Sequence, residues 1–287
     1  MMTLPMSSRV SLPPPPRSIR RRPGWYLPAI AGAALVFGAL AWHPDPNAID
    51  LAGRLQPPLG FGGTTAHVFG TDQLGRDLGA RMVAGARVSL LVAVTATFVA
   101  GAIGSIIGLT GGYLGGLTDR IGLWIGDVQL AVPFVVVAIG ISATIKPSVT
   151  GVILILGATG WATYARVARL TVQPLRRAAF VDAARVNGAS PRRILFRHLL
   201  PVILPPLLAL AGQQAGAMIL YESALSFLGI GVPASTITWG RMIADSRDSI
   251  GVAWWATVLP GLAIVAVVCF FNAIGQFGIR RLRGGEE

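Results

Sequence analysis

Apolar windows of 18 or more residues recur along this chain. A stretch of that length fits one solvent well, the hydrocarbon core of a bilayer, about 30 Å thick. The chain is 53% hydrophobic and only 13% charged, where a soluble domain carries roughly twice that charge. The expected fold is therefore an all-α integral membrane protein. Six transmembrane helices are expected, over residues 25–42, 88–112, 121–145, 149–168, 199–221 and 254–278.

The segments between them are uneven. Residues 1–24 hold four consecutive prolines, Pro13 to Pro16, and Arg17, Arg20, Arg21 and Arg22, the composition of a disordered basic tail. The first apolar segment has a tryptophan at each end, Trp25 and Trp42, as interfacial anchoring favours. A cleaved signal peptide ending near Ala39-Leu40-Ala41 is the rival reading, but the apolar core exceeds the roughly 7–15 residues usual for signals. Residues 43–87 form an expected external segment. Within it Asp72/Arg76 and Asp77/Arg81 stand four apart, and Leu74, Leu78 and Met82 share one helical face. Either a surface-lying helix or a packed connector follows from that pattern. Residues 88–280 form the expected core, with a cytoplasmic loop at 169–198 and an external loop at 222–253, before a short tail at 281–287.

Charge sets the orientation. With six spans and the first tail inside, the inner segments hold 17 of the 24 basic residues and the outer ones 7. The positive-inside rule then places both termini in the cytoplasm. The net charge of +12 is thus a topology signal and no sign of nucleic-acid binding. Cys269 is the lone cysteine, and His43, His67 and His198 lack ligand spacing, so no metal site is expected. No Gly-Lys-Ser/Thr follows the glycines of the second span, and Lys146 is the only lysine. A Walker A phosphate loop is therefore absent, and the chain is not expected to hydrolyse ATP by that route.

Gly104, Gly108, Gly112 and Gly116 recur every four residues, a spacing that lets a neighbouring backbone come close. Asp127, Gln129 and Pro133 lie in the third span. An intramembrane carboxylate is costly, so Asp127 is either a helix-pairing group or a pathway-lining one. Gln213 and Gln214 lie at mid-depth in the fifth span, after Pro201, Pro205 and Pro206, and Glu222 follows at its end. Asp127, Gln129, Gln213, Gln214 and Glu222 are the candidate cavity or gate residues.

The longest polar interruption between apolar segments of the second half is 178–206. Good helix formers at 178–186 precede Asn187-Gly188, a helix stop. Ser190 then caps a second helix with Pro191 at its first position. Asp182-Ala183-Ala184, Gly188, Ile194 and Leu200-Pro201 resemble the cytoplasmic E-A-A loop of ABC-importer permeases, with Asp182 in place of the usual Glu. Four further segments are similar to the peptide/nickel group of that family: 70–77 (GTDQLGRD), 85–90 (GARVSL), 112–116 (GYLGG) and 222–229 (ESALSFLG). Within the group they resemble the second of two paired permease subunits.

The resemblance implies the type I importer permease fold and no bound cofactor, since ATP and magnesium sit on partner ATPases. It implies as partners a second homologous permease, one or two ATPase subunits, an extracytoplasmic substrate-binding protein and the bilayer of a prokaryotic inner membrane. It implies that Asp182, Ala183, Ala184, Val186, Asn187 and Gly188, backed by Arg192 and Arg193, couple the chain to the ATPase. Di- or oligopeptide is the expected cargo, with nickel or glutathione as alternatives. An ion-driven secondary permease, which would need Asp127, and a non-transporting membrane scaffold are the competing functions.

Overall fold

The computed structural model describes residues 26–41, 45–144 and 146–283. The first tail, the end of the last one and the flanking Trp25 and Trp42 lie outside the described residues. Among those described there is no strand, only an isolated bridge between Thr71 and Asp77. The helices are α1 (Tyr26–Ala41), α2 (Leu78–Leu114), α3 (Gly116–Ala131), α4 (Phe134–Ser142), α5 (Val149–Leu175), α6 (Ala179–Val186), α7 (Pro191–Arg193), α8 (Leu200–Phe227), α9 (Trp239–Ser246) and α10 (Trp255–Arg283). A π-helical segment, Ile194–Leu199, joins α7 to α8, so Pro191–Phe227 runs on as one 37-residue helix.

Four helices are long and apolar enough to cross a membrane. The bent pair α3/α4 is a fifth candidate. At 16 residues, α1 falls short of the roughly 20 a span needs. The sixfold count therefore does not follow from helix length and apolarity among the described residues.

Several boundaries differ from expectation, three of them with a clear local cause or consequence. The third span is not one helix: α3 and α4 meet at a bend of 90°. Pro133 has no N–H to give and pushes Val132 into extended backbone (φ −90°, ψ 126°), which ends α3 there. The second helix starts at Leu78, ten residues before the expected span. Asp77 caps it by accepting from the Ala80 N–H at 2.7 Å. The fifth helix continues past Tyr221 to Phe227, taking Glu222 into its interior.

The proline cluster does not interrupt α8. Pro201 would clash with the carbonyl four residues back in a regular α-helix. The preceding π turn, in which the Leu200 N–H bonds to the Leu195 carbonyl, widens the backbone at that point.

Of the two alternatives for the residues around Asp72, the structure has the packed connector, built on a stapled turn. The two oxygens of Asp72 divide the work: Oδ1 accepts from the Leu74 and Arg76 N–H groups (2.8 and 3.0 Å). Oδ2 pairs with Arg76 Nε at 2.7 Å. Asp77, meanwhile, meets His67 Nδ1 at 2.8 Å. Buried Thr71 donates to the Gly53 carbonyl and accepts from the Gln56 N–H, and Trp255 Nε1 donates to the Thr71 carbonyl at 3.2 Å. Residues 45–77 are thus a packed connector against α10.

The core is built on α2 against α5. A Cβ placed on Gly104 would lie 2.3 Å from the Trp161 carbonyl, and one on Gly108 would lie 2.2 Å from that of Ala165. On Gly112 it would lie 3.1 Å from the Arg169 carbonyl. Glycines four apart on one helix therefore face carbonyls four apart on the other. This ladder is an interface within the chain.

Because the opposing atoms are backbone, Gly108→Ala forces the helices apart. Overpacking of this kind costs about 1–3 kcal/mol. Gly261→Ala is the matched control, since no atom lies within 4 Å of its would-be Cβ. Thermal unfolding of the detergent-purified chain should drop by several degrees for Gly108→Ala and hold or rise for Gly261→Ala. Equal behaviour of the two would mean that close helix approach does not govern this packing.

Candidate functional site

Within the polar interruption, 178–198 folds as a helix, a tight turn and a second helix. Only Val181 of α6 is fully buried, in the core cluster that also holds Ile194 and Leu195. That one side chain anchors the helix. The turn is a complete Schellman motif. The Ala189 N–H bonds to the Ala184 carbonyl and the Gly188 N–H to that of Arg185, with Gly188 at φ +73°. Ser190 then accepts from the Arg193 N–H, with Pro191 at the first helical position.

The helix leaves a wide face open. Asp182, Ala183, Asn187 and Gly188 are exposed and Ala184 is half-buried. Val186 is 88% exposed and Phe180 43%. Two apolar side chains on a helix this polar are an unpartnered surface. Phe180 was missed by the sequence reading. Its signal was an aromatic residue inside the polar interruption, directly ahead of the buried Val181.

Asp182 lies in the first turn but caps nothing. Its carboxylate accepts from Arg185 Nη1 at 3.0 Å. Arg185 is the second residue whose importance sequence alone did not show. Its guanidinium sits 5.3 Å over the Tyr113 ring. It donates to the Tyr113 hydroxyl at 3.4 Å and to the Arg176 carbonyl at 3.3 Å. The Tyr113 hydroxyl, with Asp182 behind it, holds the guanidinium above the ordinary arginine value, so it stays charged. Tyr113 belongs to the last turn of α2, and Arg176 caps α5. One side chain thus fastens α6 to the ends of the two helices that make the glycine ladder. Arg192, Arg193 and Arg197 are exposed, and none of the ion pairs among the described residues involves them.

The five candidate cavity residues do not converge. Asp127 pairs with Arg166 at 2.7 Å, the helix-pairing alternative. Gln129 Nε2 donates to the Thr159 carbonyl. Both tie α3 to α5, as Asp119 does with Arg169 at 2.5 Å. Gln213 is exposed and Gln214 half-buried on α8. Glu222 is fully buried between α8 and α2. Its Oε1 accepts from Ser226 at 2.7 Å and its Oε2 from Ser89 at 3.0 Å. Nearby Trp239 of α9 donates to the Met82 carbonyl at 2.9 Å. A Cβ on Gly240 would meet the Ser223 carbonyl at 2.3 Å. The start of the expected external loop is therefore a tight three-helix junction of α2, α8 and α9.

The chain is similar to known proteins. A probable D,D-dipeptide transport system permease protein of Escherichia coli K12 is 38% identical over 252 residues, covering 86% of this chain and 82% of the relative. The nickel transport system permease protein of the same strain is 37% identical over 236 residues, covering 82% and 83%. The dipeptide transport system permease protein of Alkalihalophilus pseudofirmus is 39% identical over 227 residues, covering 79% and 73%. Among solved structures, the inward-facing MetNI methionine ABC transporter aligns with a TM-score of 0.51 at 22% identity, over 71% of this chain and 95% of that one. That likeness shows the fold. The family model described as "Binding-protein-dependent transport system inner membrane component" matches residues 100–284, and the chain belongs to that family.

Proposed function

We propose that this chain is one of two different permeases of an ATP-driven importer and that α6 is its docking element for the ATPase. The observation that carries the reading is the open face of α6, with Val186 and Phe180 exposed on a helix pinned from behind by Val181 and Arg185. An amphipathic helix laid in a groove is a common way for one protein to grip another. Ala183 and Ala184 keep the face low, Asp182 offers an acceptor, and Arg192 and Arg193 can meet acidic groups or lipid headgroups. Closure of the paired ATPases would push α6, and Arg185 would pass the movement to α2 and α5. The chain itself is a membrane component of a transport system and no catalyst.

The cargo proposed is a di- or oligopeptide delivered by an extracytoplasmic binding protein. Two of the three relatives are described as dipeptide permeases, which supports peptide over nickel. Uptake of a labelled dipeptide and of nickel ions, each with and without the gene, decides between them. The basic-residue distribution supports both termini, and α6 with them, on the cytoplasmic side.

Gly188→Leu puts a side chain into a left-handed conformation, which costs roughly 1–2 kcal/mol. It should leave the chain inserted and folded but tilt α6. Together with Asp182→Arg it should lower ATP-dependent uptake at least tenfold and remove the ATPase from the purified complex. Normal transport by both variants would overturn the docking role. Arg185→Ala separates docking from transmission: uptake should fall several-fold while the ATPase still co-purifies. If the ATPase is lost as well, Arg185 belongs to the docking face itself.

A further inference from the structure

Between Arg54 and Asp72 the connector holds no aspartate, glutamate, lysine or arginine. Its one ionisable side chain there, His67, is turned to Asp77. The middle of this stretch is a tight turn. The Phe61 N–H donates to the Pro58 carbonyl and the Leu59 N–H to that of Val68, both at 3.0 Å. Gly60 and Gly62 flank Phe61 at φ +94° and +98°, a conformation that glycine takes at no steric cost. Of these three residues only Phe61 has a side chain, so the turn displays one aromatic ring at its tip. That ring is 66% exposed, and Leu59 and Val68, joined at the base of the turn, are exposed too.

What Phe61 touches identifies its surroundings. It meets Trp254 edge-on, with ring centroids 5.3 Å apart. Trp254 opens α10, its carbonyl accepting from the Val258 N–H at 2.9 Å. It also heads a row of exposed apolar side chains, Trp254, Val258, Leu262 and Val265. Their spacing of four, four and three puts them on one helical face. The helix is long and apolar enough to cross a membrane, so this face is suited to acyl chains, and a tryptophan at its end belongs at headgroup level. Phe61 sits on that tryptophan. Its height is fixed as well, because Trp255 packs against Trp254 and donates to the Thr71 carbonyl of the same connector.

We propose that the turn at 58–62, with Leu59, Phe61 and Trp254, is an interfacial anchor seated in the headgroup zone of the bilayer at the end of α10. The charge-free run lets the turn enter that zone without desolvating an ion. The partner is a lipid surface, and a zwitterionic one suffices, since the anchor works through apolar area and not through charge. Seated there, the turn fixes the height of the connector, and with it the capped start of α2 at Asp77. Which leaflet it enters follows from the orientation proposed above. The anchor itself needs neither that orientation nor the ATPase.

The test uses the chain with its co-purifying subunits in phosphatidylcholine nanodiscs. Nitroxide spin labels go on single cysteines in a Cys269→Ser background. Leu59→Cys and Phe61→Cys probe the turn, Val258→Cys is the acyl-chain reference, and Asp248→Cys, on an exposed side chain of the loop before α10, is the water reference. Oxygen concentrates in acyl chains and chromium oxalate in water, so the ratio of their collision rates reports depth. At 59 and 61 the ratio should exceed that at 248 several-fold and approach that at 258. A ratio equal to that at 248 would place the tip in water, and weak collisions with both agents would place it under a protein; either overturns the proposal. Phe61→Asp, read by the label at 59, is the second arm. It should bring the ratio at 59 down to the water value, while Phe61→Trp should preserve it. A ratio unmoved by Phe61→Asp would remove Phe61 as the anchor. Neither arm reads uptake or ATPase binding, so this inference and the importer reading fail separately.

Discussion

The whole arrangement rests on how closely α2 and α5 approach. A lipid tail is as apolar as a leucine, so two helices in a bilayer gain little by hiding apolar surface from it. They gain by bringing backbones together, where dispersion and weak Cα–H···O contacts accumulate. Gly104, Gly108 and Gly112 supply the flat surface and the carbonyls of Trp161, Ala165 and Arg169 face it. The register is fixed because each glycine has its own carbonyl, and a slip of one residue would put a side chain against backbone. Gly157 and Gly160 of α5 extend the close contact toward Val99 and Met218, which brings α8 onto the same pair.

With α2 fixed this way, its two ends become reference points. At one end Tyr113 receives Arg185, and at the other Asp77 and Arg81 anchor the connector. The Glu222 junction lies between α8, α2 and the start of α9. A carboxylate buried without acceptance of hydrogen bonds would be expensive. Here Ser89 comes from α2 and Ser226 from the next turn of α8, so the bonds that satisfy Glu222 also hold the two helices together. The polar character that marked 222–229 as a loop is internal glue.

Much of this was legible in the chain. The apolar windows gave four of the long helices, and Gly188, Ser190 and Pro191 gave the turn after α6 to the residue, because their roles depend on local geometry alone. The glycine spacing announced a close contact but could not name the partner, since Trp161 is 57 positions away from Gly104 in the chain. The i, i+4 pairs near Asp72 left a helix and a packed connector open for a related reason. Charges four apart also suit a turn in which a carboxylate folds back on its own backbone, and Gly75 at φ +75° permits that turn. Glu222 was misplaced because hydropathy scores a serine as polar wherever it lies, while a serine facing a carboxylate is part of the core. The Arg185–Tyr113 contact spans 72 positions, beyond any local pattern.

The α3/α4 pair is held by different means from the rest. Gly126 is the only fully buried residue of α3 and Ala138 the only one of α4. What joins α3 to α5 is charge: Asp119 with Arg169, mostly buried, and Asp127 with Arg166, more than half exposed on both sides. Exposed pairs contribute about 0–1 kcal/mol, so the outer one is a weak tie and the inner one the stronger. The 90° break at Pro133 removes continuous backbone hydrogen bonding between the halves. Elements with few buried apolar contacts are those that open at least cost. In a fold whose other helices approach backbone to backbone, this bent pair is the one tied to the α2–α5 unit mainly by charge.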